Sequence, residues 1–103
     1  MRVLITGGDG FIGRHLTAAL LERGDSICVI DNHITSSPSI EHSRLTRIEA
    51  DVCDLNRVIP NWEADVIVHL ASVAIPKLYM ENPQTVISPN VLGTMRVCEY
   101  AER

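Results

Sequence analysis

The chain has 103 residues, of which 46% are apolar and 21% charged, with a net charge of −4. That is one domain at most, long enough to bury about two-thirds of the surface its unfolded chain exposes. Acids and bases are interspersed, so no basic stripe is available for a nucleic-acid backbone or an anionic membrane, and neither is expected as a partner.

The first predicted element is a strand at Val3–Thr6, which runs straight into Thr6-Gly7-Gly8-Asp9-Gly10-Phe11-Ile12-Gly13. Gly8, Gly10 and Gly13 fit the spacing G-x-G-x-x-G, while Gly7, Gly10 and Gly13 fit G-x-x-G-x-x-G from one residue earlier. Glycine at such positions permits a tight turn, a close backbone approach to phosphate and close packing of helix on strand. The helix that follows aims unpaired N–H groups and its positive dipole end at the anion, an effect of about 0.3 to 1 kcal/mol, up to about 2 when partly buried. Ile12, Leu16, Ala19 and Leu20 recur at helical spacing, and Gly24 suits the C′ position that ends this helix.

A second strand at Ser26–Asp31 completes a βαβ unit. Asp31 ends it eighteen residues after Gly13, where a dinucleotide fold places the acid that accepts hydrogen bonds from the adenosine ribose. That argues for NAD over NADP, because a 2′-phosphate about 4 Å from the carboxylate costs about 1 to 4 kcal/mol per unit charge. The adjoining residues, Asn32 and His33, include no arginine to offset it. Asn32–His42 is polar, contains Ser36-Ser37-Pro38-Ser39, and reads as a loop. Strands three and four are expected at Leu45–Glu49 and Asp65–Leu70, with a brief turn through Asn56–Ile59 between them, capped by Asp54 and ended by Pro60. The last helix takes Asn82 as cap and Pro83 as first residue, with Val91, Met95, Cys98 and Ala101 on one face. Pro89 lies inside that helix and is expected to kink it at a cost of about 3 kcal/mol. Continuous apolar strands suit a parallel sheet covered on both faces, in the order 3-2-1-4 of a dinucleotide fold.

Cys28, Cys53 and Cys98 are odd in number and form no C-x-x-C pair, so they read as reduced residues of a cytoplasmic protein, with Cys28 and Cys98 in the core. His15, His33, His42 and His69 share no metal-ligand spacing, and no zinc site is expected. His15 is placed on the exposed side of the first helix, and His69 near the sheet end as a packing residue. The apolar stretch Val66–Ile75 is interrupted by His69 and Ser72 and is too short to span a bilayer. The short run before Thr6 does not have the form of a signal peptide.

Taken together, T-G-G-x-G-F-I-G at Thr6–Gly13, D-N at Asp31-Asn32, D-V-x-D at Asp51–Asp54, H-L-A at His69–Ala71 and N-V-L-G-T at Asn90–Thr94 resemble one family. It is the extended short-chain dehydrogenase/reductase family of NAD-dependent nucleotide-sugar epimerases, dehydratases and decarboxylases, and the resemblance covers the whole chain. It implies NAD as cofactor and a partial Rossmann fold, an α/β sheet of about four parallel strands with flanking helices. The implied cofactor-binding set begins with Gly7, Gly10, Phe11, Ile12 and Gly13 in the turn, then Asp31, Asn32 and Ser36. Asp51 and Val52 inherit the adenine edge. Leu70, Ala71 and Ser72 inherit the pyrophosphate and nicotinamide side, and Asn90 reaches the cofactor from the last helix.

The segment P-x-x-Y-M-x-N-P at Pro76–Pro83 most resembles UDP-glucuronate decarboxylases, although Val73 and Lys77 stand where those enzymes carry further prolines. Tyr79 in that segment either meets a substrate or packs under its own loop. The family's Ser/Thr and Y-x-x-x-K pair lie beyond a fifth strand, and neither Tyr79 nor Tyr100 has a lysine four residues on. The expectation is therefore the amino-terminal part of an NAD-binding domain, residues 1–103, without the later strands or substrate domain and inactive in isolation. No catalytic residue is assigned. The alternative is a stand-alone, non-catalytic NAD-binding or regulatory module. A nucleotide sugar is the implied substrate of the complete enzyme, and self-association through the exposed sheet edge is expected.

Overall fold

The computed structural model of the chain describes residues 1–38, 40–58, 61–72 and 76–102. Strands β1 (Arg2–Thr6), β2 (Ser26–Asp31), β3 (Leu45–Glu49) and β4 (Val66–His69) form one four-stranded sheet in the order β3-β2-β1-β4. All pairings are parallel, with Thr6 opposite both Ile30 and His69, and Asp31 opposite Glu49. The C-terminal strand ends therefore line up along one edge.

The two inner strands are buried on both faces. Alternation of side chains divides them between two cores. Val3, Ile5, Ile27 and Val29 face helix α1 (Phe11–Arg23), where Leu21 joins them with Leu16 and Leu20 packed alongside. Leu4, Cys28 and Ile30 face the opposite side, with Leu55 of the short helix α2 (Leu55–Val58) and Tyr100 of the long helix α4 (Pro83–Ala101). The outer strands β3 and β4 are only partly covered.

Helix α1 ends where Gly24 takes φ of 103° and donates its N–H to the carbonyls of Leu20 and Leu21, a left-handed cap that glycine adopts without strain. Its buried stripe differs from the expected one. Gly13, Thr17 and Leu21 lie against the sheet, whereas Ile12 and Ala19 are exposed. At Gly13 the helix comes so close to the Gly7-Gly8 turn that only glycine fits, and the stripe starts from that contact.

Asp51, rather than the expected Asp54, provides the cap between β3 and α2. Its side chain accepts from the Cys53 N–H and starts a 3-10 turn over Val52–Asp54, which leads directly into α2. Ile59 and Pro60, expected to end that turn, lie outside the described residues. The segment expected to be a loop before α4 contains a short helix, α3 (Pro76–Glu81), on which Tyr79 is 43% exposed. Helix α4 continues through Pro89. It packs through Gly93, Val97 and Tyr100, while the apolar row Val91, Met95, Cys98 and Ala101 points outward. Cys28 is buried as expected, with burial pushing its thiol up to about 11. Cys98 is exposed, which corrects its assignment to the core.

Candidate dinucleotide cleft

A cleft of about 810 Å³ opens at the C-terminal edge of the sheet. The glycine turn forms its floor, and Gly7, Gly10, Phe11, Ile12 and Gly13 all line it. Gly7 has φ of 71°, and a Cβ there would stand 2.7 Å from the Ala71 nitrogen. A Cβ on Gly13 would stand 2.4 Å from the Gly7 carbonyl oxygen. Gly10 differs from both, since its missing Cβ would meet only the Gly7 oxygen at 3.4 Å. Gly7 and Gly13 are thus fixed by the protein's own packing, whereas Gly10 leaves open space. Gly8 is absent from the lining because it packs on Val29, whose methyl would lie 2.6 Å from an added Cβ. Of the two glycine spacings, the one through Gly7, Gly10 and Gly13 faces the cleft.

Helix α1 begins at this floor with Gly10 as its N-cap, and no side chain caps it. The N–H groups of its first turn lack intrahelical acceptors, and that turn contains no acid. Uncapped donors beside a bare backbone surface are suited to a pyrophosphate. The residues present fit that group.

Asp31 stands at one end of the cleft, 9% exposed. Its Oδ1 accepts from the His33 N–H at 2.8 Å and from the Ser36 hydroxyl at 3.0 Å, and its Oδ2 accepts from the Asp9 N–H at 3.1 Å. Those bonds orient the carboxylate and occupy both lone pairs of Oδ1, while Oδ2 keeps one for a ribose hydroxyl. Asn32 and Ser36 line the cleft beside it. Asp51 and Val52 form one wall and Leu70, Ala71 and Ser72 another.

Thr6 holds the Leu70 wall in place. Its hydroxyl oxygen accepts from the N–H groups of Leu70 and Ala71 at 3.1 and 3.2 Å and lies 2.6 Å from His69 Nδ1. That contact ties the His69 ring to the end of β1. His69 is therefore a structural partner of the strand end, as expected.

Asn90 lies outside the lining. It is on the exposed side of α4, and that helix reaches the cleft through Gln84, Thr85, Ser88 and Pro89 instead. Sequence reasoning also missed Arg47. This β3 residue is 14% exposed, and its guanidinium grips Asp9 through Nε at 2.8 Å and a terminal nitrogen at 3.0 Å. The signal was a charged residue inside the short strand Leu45–Glu49, which the strand order sets beside β2.

A parallel sheet with a glycine turn at the first strand-to-helix crossing and an acid at the end of the second strand defines a Rossmann-like α/β fold. The chain belongs to the NAD dependent epimerase/dehydratase family, whose sequence profile matches residues 3–103. It is similar to UDP-glucuronic acid decarboxylase 1 of Danio rerio, 38% identical over an alignment of 107 positions that covers 99% of this chain and 25% of that protein. UDP-glucuronic acid decarboxylase 5 of Arabidopsis thaliana is 39% identical over 109 residues, covering 100% of this chain and 31% of that protein. Among solved structures, UDP-glucose 4-epimerase of Thermus thermophilus in complex with NAD superposes with a TM-score of 0.85 at 32% identity, over 97% of this chain and 33% of that one. An epimerase of Methanothermobacter thermautotrophicus gives 0.87 at 31% identity, over 97% and 31%. The chain thus spans about a quarter to a third of the length of these relatives. Among the described residues, no helix is long and apolar enough to cross a membrane.

Proposed function

We propose that this chain is the NAD-binding portion of an NAD-dependent nucleotide-sugar epimerase, dehydratase or decarboxylase. One observation carries the reading. The uncapped start of α1, the bare Gly10 and the oriented Asp31 open onto a single cleft of about 810 Å³. In it, Gly7, Gly10, Phe11, Ile12 and Gly13 receive the pyrophosphate and Asp31 takes the adenosine ribose, with Asn32 and Ser36 beside it. Asp51 and Val52 hold the adenine edge, and Leu70, Ala71 and Ser72 flank the nicotinamide side. When bound, NAD supplies a hydride acceptor.

Coverage of a quarter to a third of the relatives supports the reading as a portion of an enzyme. Pro83, not a lysine, stands four residues after Tyr79, and no turnover is assigned to residues 1–103 alone. A nucleotide sugar is the substrate class of the complete enzyme.

Titration calorimetry of the chain with NAD and NADP tests the cofactor assignment. NAD is expected to bind more tightly than NADP by about fivefold or more, since a 2′-phosphate beside Asp31 costs about 1 to 4 kcal/mol per unit charge. Asp31→Ala should narrow that ratio. Equal affinities in the unaltered chain would remove Asp31 from the ribose site.

A further inference from the structure

Asp9 is an acid in the one turn that must receive an anion, and it is only 4% exposed. A buried carboxylate beside a pyrophosphate seat opposes both folding and binding unless its charge is cancelled. The structure shows how that is done. Arg47 forks onto both Asp9 oxygens, and His33 Nε2 lies 2.7 Å from Oδ2. The Asp9 N–H, in turn, donates to Asp31 at 3.1 Å. Arg47 and His33 therefore hold the residue that joins the phosphate turn to the ribose acid.

His33 is built for this position. Its φ of 59° is a left-handed conformation uncommon for residues other than glycine, and it points the ring back between two carboxylates. Nε2 meets Asp9, while Nδ1 meets Glu49 Oε1 at 2.5 Å. A neutral imidazole has one N–H and can donate to only one of them, so the pair of contacts requires an imidazolium. The facing charges are Asp9 from the turn, Asp31 from β2, and Glu49 and Arg47 from β3, with Glu41 paired to Arg47 from the preceding loop. Burial pushes the His33 pKa down, but the hydrogen bonds to Asp9 and Glu49 and the nearby Asp31 charge outweigh it and raise it.

We propose that Arg47 and His33 are positioning residues of the dinucleotide site, cancelling the Asp9 charge and fixing the joint between the glycine turn and Asp31, with His33 acting as an imidazolium. The proposal rests on the NAD reading above. Loss of the His33 proton adds one net negative charge beside the bound phosphates and breaks one of the two ring contacts. NAD affinity should then fall as pH rises through the raised His33 pKa. By reciprocity, bound NAD raises that pKa further.

The test is NAD titration of the whole chain between about pH 6 and pH 9, with nitrogen-15 NMR of the His33 ring. The unaltered chain should lose about three- to tenfold in affinity across one protonation step, with His33 titrating above its ordinary value and higher still with NAD. His33→Gln should bind more weakly at pH 6 and show no such step. Arg47→Met should lose about tenfold or more, and much less when Asp9→Asn is already present, because no charge then needs cancelling. The double variant and the His33 profile remain readable if Arg47→Met alone fails to fold. A chain that binds NAD with the same affinity and pH profile in every variant would overturn the positioning proposal and leave the cofactor reading standing. A folded, unaltered chain that binds no NAD at any pH would overturn both.

Discussion

At the scale of single residues, the glycines of the turn have separable roles. Gly10 faces the cleft with open space where a side chain would go, so Gly10→Val should keep the fold and abolish NAD binding by occupying the phosphate approach. Gly13→Ala should fail differently, because its Cβ would collide with backbone at 2.4 Å. It is expected to lose stability by about 1 to 3 kcal/mol, as overpacked sites do. Circular dichroism with NAD calorimetry on both variants checks this, and retained affinity in Gly10→Val would make the turn purely structural. Asp9 carries a second consequence, for acid stability. Burial acts to raise its pKa, yet the hydrogen bonds from Arg47 and His33 outweigh burial and hold it below the ordinary value of 3.8. A carboxylate depressed in the folded state contributes stability that is fully present above its unfolded pKa and lost as pH falls toward the folded value. Urea midpoints should therefore drop more steeply below about pH 4 in the unaltered chain than in Asp9→Asn. Equal slopes would show that the cluster contributes nothing to acid stability.

At the scale of elements, every strand and the topology of the sheet were legible because apolar runs flanked by turn residues have few other uses in a parallel sheet. The Asp31 position and the glycine turn were legible for a related reason, since local spacing alone fixes them. What escaped depended on contacts distant in sequence. The packed stripe of α4 is set by Gly93, where a Cβ would lie 2.6 Å from a Val52 methyl. The sequence offered the stronger apolar row, Val91, Met95 and Cys98, which faces outward instead. Asn90 was assigned to the cofactor from a motif, yet its phase on α4 puts it beside that outward row. Arg47 and His33 were invisible for the same reason, as both act across strands on an acid in a turn. Gly93→Ala tests the α4 contact. The substitution gains about 1 kcal/mol of helix propensity, but pressing on buried Val52 costs about 1 to 3. The expected net is a loss of about 1 kcal/mol, or about 5 °C in Tm. An unchanged or raised Tm would mean that α4 shifts away from Val52 at no cost.

At the scale of the whole molecule, two apolar surfaces are open. Among the described residues strand β4 pairs only with β1, and Val66-Ile67-Val68 along it carries no charge or proline to discourage a further strand. On α4, Ile87, Val91 and Met95 are 56%, 58% and 53% exposed and recur every four residues. The chain is accordingly expected to self-associate at micromolar concentration and to be marginally stable, and light scattering should show a mass that rises with concentration. Val66→Lys and Met95→Lys separate the two surfaces. Val66 is 40% exposed at the sheet edge, so a lysine there blocks strand pairing without disturbing the core, while Met95→Lys disrupts only association through α4. The sheet edge is expected to dominate, because unpaired backbone donors and acceptors add direction to apolar contact. Bound NAD should stabilise the fold by RT ln(1 + [L]/Kd), about 2.7 kcal/mol at a hundredfold excess over Kd. For a chain of 103 residues that raises Tm by about 10 °C or more, and thermal unfolding with and without millimolar NAD measures it. A monomer with a sharp transition that NAD leaves unmoved would show that these residues form a self-sufficient fold with no cofactor role.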